Sequence, residues 1–570
     1  MGLGIVDVKG RQVPGTVDIY EKERVESQPS NYHTELKYDR SGSEPILLVP
    51  QPSDDPNDPL NWPLWKRDLT IFALSLVAVL CATTSSVMAA GTVTLSRYYR
   101  KSFMSIALLT GYHLCGTGIA GILIVPTARV WGKRHLFVLG HILMVVSCVW
   151  AGASGMNYQS LLWARIFQGV ALAPFEALTN AVVDDLFYVH QRGKRMALSN
   201  VAVFGAAFLT PVAAGKITKT LGWKWTFYLL AIFTAAALPL TIFLVPETAF
   251  RRPNYLEPDF QDRDRTESCQ HAESRKAQDE ADSRELKQSS TSNGESSLDV
   301  ASQEPSTQRS ILTKVSYVQT LKLFNGRKTD EHWWKLLLRP FPLFFHPAVL
   351  WACLIQGVII GWTVFIGVTL AAIFMSGPLW FEEDKTGYMY AGAFIGAMVG
   401  LVLSGLLSDF MNNIMIKFNK GRYEPEFRIL LVIFQLIFCG IGMYGFGITA
   451  NDAAHYGWLP PDVFFGCVVS GMVMGAVASA LYIVDAHRKY PRNIVIEAFT
   501  CMLIFKNIFS FVLTFYTYDW LVEAYVKKPF MAISSIQVAI CALSIPMYIF
   551  GKWNRFFFSR YDILKLLRLW

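Results

Sequence analysis

The sequence predicts an all-α membrane protein of about twelve transmembrane helices, arranged as two groups of six. Three observations carry this. Only 17% of the 570 residues are charged, against 52% hydrophobic and 14% aromatic, so there are too few polar side chains to cover a water-facing surface. Apolar runs of roughly 20 residues recur, the length that crosses about 30 Å of hydrocarbon at about 1.5 Å per residue. A long hydrophilic stretch then divides these runs into two equal sets.

Taken in order, residues 1–66 are polar and read as an irregular, disordered cytosolic lead-in. They end in Asp55-Pro56-Asn57-Asp58-Pro59-Leu60-Asn61-Trp62-Pro63, whose prolines forbid a regular helix and whose Trp62, with Trp65, suits the headgroup layer. The first six spans, in a domain of residues 67–247, are predicted at 69–90, 103–126, 135–152, 160–187, 197–216 and 225–246. Residues 248–341 form a hydrophilic connector. Its middle, Gln261 to Ser310, holds almost no large apolar side chains, so burial cannot offset its ordering entropy and it is expected to be largely disordered. The second six, in 342–551, are predicted at 344–374, 387–410, 428–449, 463–485, 494–518 and 530–551, followed by a basic tail at 552–570.

Orientation follows from the short loops. With the amino terminus in the cytosol, the inner loops carry thirteen Lys or Arg and the outer loops nine. That excess, with the basic tail, places both termini in the cytosol. The plasma membrane is the expected location, with the vacuolar membrane as the alternative. The net charge of +8 is explained by these loops and is not a nucleic-acid signal. Eight of nine cysteines fall in apolar segments without metal-like spacing, so they read as small buried hydrophobes. No metal or cofactor is expected. Phosphate-binding Gly-x-x-x-x-Gly-Lys-Ser/Thr and catalytic Gly-x-Ser-x-Gly patterns are both missing from the sequence, which argues against ATP drive and against an enzyme.

Several short motifs then converge. Asp55 to Pro63 is similar to a "DP-N-P-NW" signature that precedes the first helix. Arg165-x-x-Gln168-Gly169 matches an Arg-x-x-Gln-Gly motif in the fourth. Asp184 and Asp185, then His190 to Arg195, follow a "D-F-HERG-R" continuation. Val245-Pro246-Glu247-Thr248 matches a "PET" ending of the sixth. Together they resemble fungal members of the major facilitator superfamily (MFS), over essentially all of residues 55–551. The resemblance implies the MFS fold, with two pseudo-symmetric six-helix bundles, and proton-coupled movement of a small organic solute. It further implies a protein that works as a monomer, of a drug or metabolite efflux branch or a polyamine-type branch.

Two departures stand out. The family's loop after the second helix survives here only as Gly132-Lys133-Arg134, with Arg129 where an Asp is usual. Its second-half copy keeps Gly405 and Asp409, so a clamp between the halves is expected to rely on Asp409. In the fifth helix the exporter-associated Gly-Pro-x-x-Gly-Gly pattern reads Thr210-Pro211-Val212-Ala213-Ala214-Gly215. Pro211 and Gly215 remain and would let that helix bend.

Charged residues inside the spans are the best functional clues, because even low estimates put such a group at mid-membrane at about 2.5–3.5 kcal/mol. In the fourth span, Arg165 and Glu176 lie eleven positions apart, which brings them to within about 20° on one face, roughly 16 Å apart. Gln168 shares that face and Asn180 follows one turn later. In this family the fourth helix lines the cavity, so the stripe is expected to face solute. Glu176 is the candidate for taking up a proton, binding a cation, or alternating between the two; a static packing pair is the competing reading. In the eleventh span Lys506 lies near mid-membrane, beside Asn507, and Glu497 is about half a turn out of phase. Lys506 must therefore find its partner on another helix. His113 is a candidate proton relay, with a packing role as the alternative. Thr83 to Ser86 are expected mainly to bond back to their own helix. Gly132, Lys133, Arg134, Asp184, Asp185, Arg192, Asp409, Asp485 and Glu497 sit at span ends, where gating or loop anchoring is expected.

The function these readings favour is export of a drug-like compound or secondary metabolite. Import of organic cations such as polyamines is the alternative. A non-transporting receptor represents another class, because it could keep this architecture and lose only turnover.

Overall fold

Backbone groups in hydrocarbon have no water to bond, so a chain crossing it satisfies them within helices. Among its described residues, the computed structural model of this protein holds twelve helices long enough to do so. It describes residues 50–251, 315–487 and 493–569 apart from 562, with short stretches at 4–6, 13, 15–18, 37–39 and 46–48. The first half holds α1 (Leu64–Ser86), α2 (Phe103–Trp131), α3 (Arg134–Ala153), α4 (Tyr158–Leu186), α5 (Val189–Leu221) and α6 (Trp223–Leu244). In the second half, α7 runs from Pro347 to Phe374 through a π turn at Leu354–Val358. Then come α8 (Ala391–Phe418), α9 (Val432–Asn451), α10 (Leu459–Ala486) and α11 (Asn493–Ala524). The last, α12, runs Lys527–Ala542 and resumes as Ser544–Arg560. Among the described residues, eleven of the twelve have the length and apolarity to cross a membrane. The other, α5, has the length, at 33 residues.

Glycines bring the helices together. An ideal Cβ on Gly169 of α4 would lie 2.0 Å from the His113 carbonyl of α2, and one on Gly116 would lie 2.4 Å from that of Ile166. The two backbones therefore touch, which small residues permit in a bilayer. Gly396 and Gly400 do the same for α8 against α10, where a Cβ would meet Gly466 O at 2.1 Å and Ser470 O at 2.7 Å. The halves meet along two seams, α2 against α11 and α5 against α8 with the short helix Glu383–Tyr388 that leads into it.

Both chain ends lie on one side, here called the terminal face. Val6 N–H donates to Ile549 O at 3.0 Å, and Arg339 Nε–H to Leu569 O at 2.9 Å. The described parts of the lead-in are docked here, where irregular chain was expected. Asp58 is fully buried and accepts from Leu60 N–H and from Ser53 N–H and Oγ–H at 2.9–3.1 Å. Asn57 Oδ1 accepts from Val315 N–H at 2.8 Å. The Asp-Pro-Asn run is thus a small knot that ties lead-in to connector. Two ribbons add to the all-helical expectation: β1 (Val17–Asp18) pairs antiparallel with β4 (Arg422–Tyr423), and β2 (Tyr38–Asp39) with β3 (Ile46–Leu47). The tail predicted from residue 552 continues α12 to Arg560. The connector's middle, Gln261 to Ser310, lies outside the described residues.

Just before α7 and just after α10, His346 and His487 face each other with ring centroids 5.3 Å apart. Burial, with His487 beside it, draws His346 down to about 3, and burial draws His487 down to about 4. Both stay neutral in the fold, whereas an unfolded chain protonates near pH 6.5. Their contribution to stability is therefore whole above about pH 6.5 and falls as pH drops toward about 4. Melting of the protein in detergent is expected to fall over that window. His346→Phe, which can keep the ring contact with Phe558, should flatten the fall.

Candidate functional site

A cavity of about 220 Å³ lies between the halves. Its walls include Ser85 and Ser86 of α1, Thr110 of α2, Phe175 and Glu176 of α4, and Phe204 and Phe208 of α5. Across from them stand Thr363 of α7, Tyr390, Phe465 and Met472 of α10, and Lys506, Asn507 and Ser510 of α11. Most of this lining is apolar. Among the described residues that line it, Glu176 and Lys506 are the charged ones. The volume is below the roughly 300–1,000 Å³ usual for drug-sized ligands.

The two charges find each other. Lys506 Nζ forms an ion pair with Glu176 Oε1 across the halves, and Asn507 Nδ2 lies 3.5 Å from Glu176 Oε2 while donating to Leu503 O at 3.1 Å. The helix-phase argument that denied Lys506 a partner on its own helix is matched by this cross-half contact. Both side chains keep about a fifth of their surface open, 17% for Lys506 and 23% for Glu176, so the pair can be reached from the cavity.

The rest of the predicted stripe is elsewhere. Arg165 and Gln168 are fully buried inside the first half. Arg165 Nη1–H donates to Thr84 O at 2.6 Å and to Gln168 Oε1 at 2.8 Å, and Gln168 Nε2 reaches Ser147 O of α3 at 3.4 Å. Helix phase puts Arg165 and Glu176 on one face, but Arg165 is covered by α1 at Thr84, whereas Glu176 stays open to the cavity. His113 is fully buried too, with Nδ1 3.3 Å from Arg165 O, so it sits between α2 and α4 and does not line the cavity. Asn180 is exposed and is also outside the cavity wall. Thr83, Thr84 and Ser85 bond back to α1 at 2.6–2.7 Å, while Ser86 crosses to Ala207 O of α5 at 2.5 Å.

The span-end residues divide into anchors and cross-half contacts. Gly132 (φ +96) lets the chain pass the Glu247 carboxylate, which a Cβ would meet at 2.2 Å. Glu247 then accepts from the Lys133 and Arg134 N–H groups at 3.0 and 3.1 Å. Lys133 Nζ pairs with Asp185 at 2.6 Å, the half-buried Asp184 lies beside it, and Arg134 Nη2–H donates to Ile242 O at 2.7 Å. These contacts all lie within the first half, so this loop fastens its own bundle. The side chain of Arg192 lies outside the described residues. In the second half Asp485 accepts from Arg428 Nε–H at 3.0 Å, and exposed Asp409 is 3.9 Å from Arg428 Nη1. The clamp expected at Asp409 is thus a contact within its own half.

The cross-half clamp on this face is Arg129 of α2 with Glu497 of α11. On the opposite face, Lys219 pairs with Asp384 at 2.9 Å and with Glu382, and Thr94 bonds Glu383. There Gly215 and Gly387 allow backbone contact, since a Cβ on each would sit 2.4 Å from Glu383 O and 2.5 Å from Pro211 O. Pro211 and Gly215 therefore belong to a seam between the halves. Sequence reading missed Arg129 as a gate residue, although the basic residue in place of Asp was the available signal. It also passed over His141, which is buried in the first half between Thr241 Oγ1 at 2.7 Å and Thr234 O at 2.8 Å.

A family model described as Major Facilitator Superfamily matches residues 73–514. Protein HOL1 of Saccharomyces cerevisiae is 24% identical, over 96% of this chain and 96% of its own. An uncharacterized MFS-type transporter of Schizosaccharomyces pombe is 25% identical, over 95% of this chain and 92% of its own. Among solved structures, a D-xylose-proton symporter matches with a TM-score of 0.53 at 14% identity, covering 85% of this chain and 98% of that one. This last likeness is one of fold.

Proposed function

The chain belongs to the major facilitator superfamily, and on that premise we propose that it is a proton-coupled secondary transporter exporting a small amphipathic organic solute, such as a drug-like compound or secondary metabolite. The observation that carries this reading is the Glu176–Lys506 ion pair, set across the two halves in a mostly apolar cavity. Together the two side chains are neutral and hold α4 to α11. A proton arriving on Glu176 ends the pair and leaves Lys506 to water or solute. A solute with a basic nitrogen and apolar rings can instead take the place of Lys506, its rings resting on Phe175, Phe204 or Tyr390. Proton and solute then compete for one carboxylate, and that competition is the physical basis of exchange.

Import of organic cations is the second reading. It is favoured by Glu176 being the acidic residue of the described cavity lining and by the glycines replaced in α5. The basic loops of the terminal face support both ends lying in the cytosol, and the reading takes the protein as a monomer of the plasma membrane. Solute flux in reconstituted vesicles under an imposed proton gradient tests the proposal, with radiolabelled spermidine beside a panel of toxic amphipathic compounds. Proton-driven movement of an amphipathic compound against its own concentration gradient, away from the terminal face, supports export, and proton-driven accumulation of spermidine on the terminal-face side supports the second reading. If neither solute class moves, the transport reading fails in favour of a receptor.

A further inference from the structure

The end of the connector, residues 327–339, lies across the seam between α2 and α11 on the terminal face. It is fastened to the first half where Lys328 N–H donates to Val130 O at 2.7 Å and Trp333 Nε1–H to Thr127 Oγ1 at 3.2 Å. It is fastened to the second half where Arg339 Nε–H donates to Leu569 O at 2.9 Å and, one residue on, Pro340 O accepts from Cys501 Sγ at 3.0 Å. Between these anchors Glu331 is gripped at both oxygens by Arg339, at 3.0 and 2.9 Å. Its Oε2 also lies 3.9 Å from Nη2 of Arg129, whose Nη1 holds Glu497.

Four charges from three separate segments thus alternate in sign over the place where the halves meet. Arg339 and Glu497 have 1% and 2% of their side chains exposed, so neither can lose its partner cheaply. The chain between the anchors is short and partly helical, at Trp333–Leu338, so it lengthens only by unwinding. Separation of α2 from α11 is therefore opposed by the anchor at Val130 and Thr127, by this helix and by the anchor at Pro340 and Leu569.

We propose that residues 327–339 are a clasp on the terminal-face gate, in which Glu331 positions Arg129 for Glu497. The connector thereby sets how readily this face opens. Glu331 is a positioning residue here, because it acts through Arg129, and the proposal does not rest on proton coupling.

The test is maleimide labelling of full-length protein in detergent, at a cysteine introduced at Ala78 or at Thr92. Both positions line the cavity, Ala78 midway along α1 and Thr92 beyond its far end. Rates are corrected for the native cysteines by the same variant without the added one. Glu331→Gln should raise the rate at Ala78→Cys about fivefold or more, the lower end of couplings between distinct sites, and leave Thr92→Cys unchanged or slower. Glu331→Asp should restore the wild-type rate in part. Trp333→Phe, which removes only the hydrogen bond to Thr127, should shift the rate the same way and covers the case in which Glu331→Gln fails to fold. No rise at Ala78→Cys in these variants, or an equal rise at both positions, overturns the proposal.

Discussion

Glu176→Gln is expected to stop solute movement driven by a proton gradient. The substitution keeps the shape of the side chain and removes its charge, so Lys506 loses its ion-pair partner near mid-membrane. With no titratable carboxyl at 176 there is no proton to exchange for solute, so the gradient-driven initial rate should fall to that of protein-free vesicles. Glu176→Gln combined with Lys506→Met removes both charges together. That double variant should recover much of the folded yield, because no unpaired charge is left between the halves, yet it should not recover gradient-driven flux. Flux in vesicles and yield by size-exclusion chromatography separate the two effects. Full flux in the double variant would mean that the pair only packs α4 against α11.

Gly169→Val is expected to leave little folded protein. A Cβ at 169 would lie 2.0 Å from His113 O and 3.0 Å from the Thr117 amide nitrogen, so what must give way is backbone. Overpacking a core by added methyl groups costs about 1–3 kcal/mol when side chains can shift, and here they cannot. The same shift would pull Arg165 O away from His113 and disturb the Arg165–Thr84 contact. By contrast, a Cβ on Gly405 would meet no neighbouring atom within 4 Å, so Gly405→Ala should melt like wild type. Comparing the two in one thermal-melt series checks that the close approach, and not the loss of any glycine, is responsible.

These cases mark what a sequence can and cannot reveal in a membrane bundle. The apolar runs located the twelve long helices, because hydrocarbon forces long apolar stretches, but not the short ones at Trp333–Leu338 and Glu383–Tyr388. The helix ends moved by up to nine residues, as at α12, which ends at Arg560 and not at residue 551, and at α5 Val189 and not residue 197 opens the helix. The cost of an intramembrane charge singled out Glu176 and Lys506, and helix phase excluded Glu497 as the partner of Lys506. Phase gives the face of a helix but not the neighbour that covers it, so Arg165 read as solute-facing although α1 seals it off. Pairing between halves was illegible for a related reason. Arg129 meets Glu497, and Glu331 joins them, only because α2 happens to lie along α11 beneath the connector. Gly132 was seen as a gate residue, yet its role is to give Glu247 room.

The most direct measurement follows protons themselves. In lightly buffered vesicles, a solute moved by the wild-type protein should carry a pH change with it, and the same solute added to Glu176→Gln vesicles should bring no pH change. Proton movement in Glu176→Gln equal to wild type would contradict the assignment of coupling to this carboxylate.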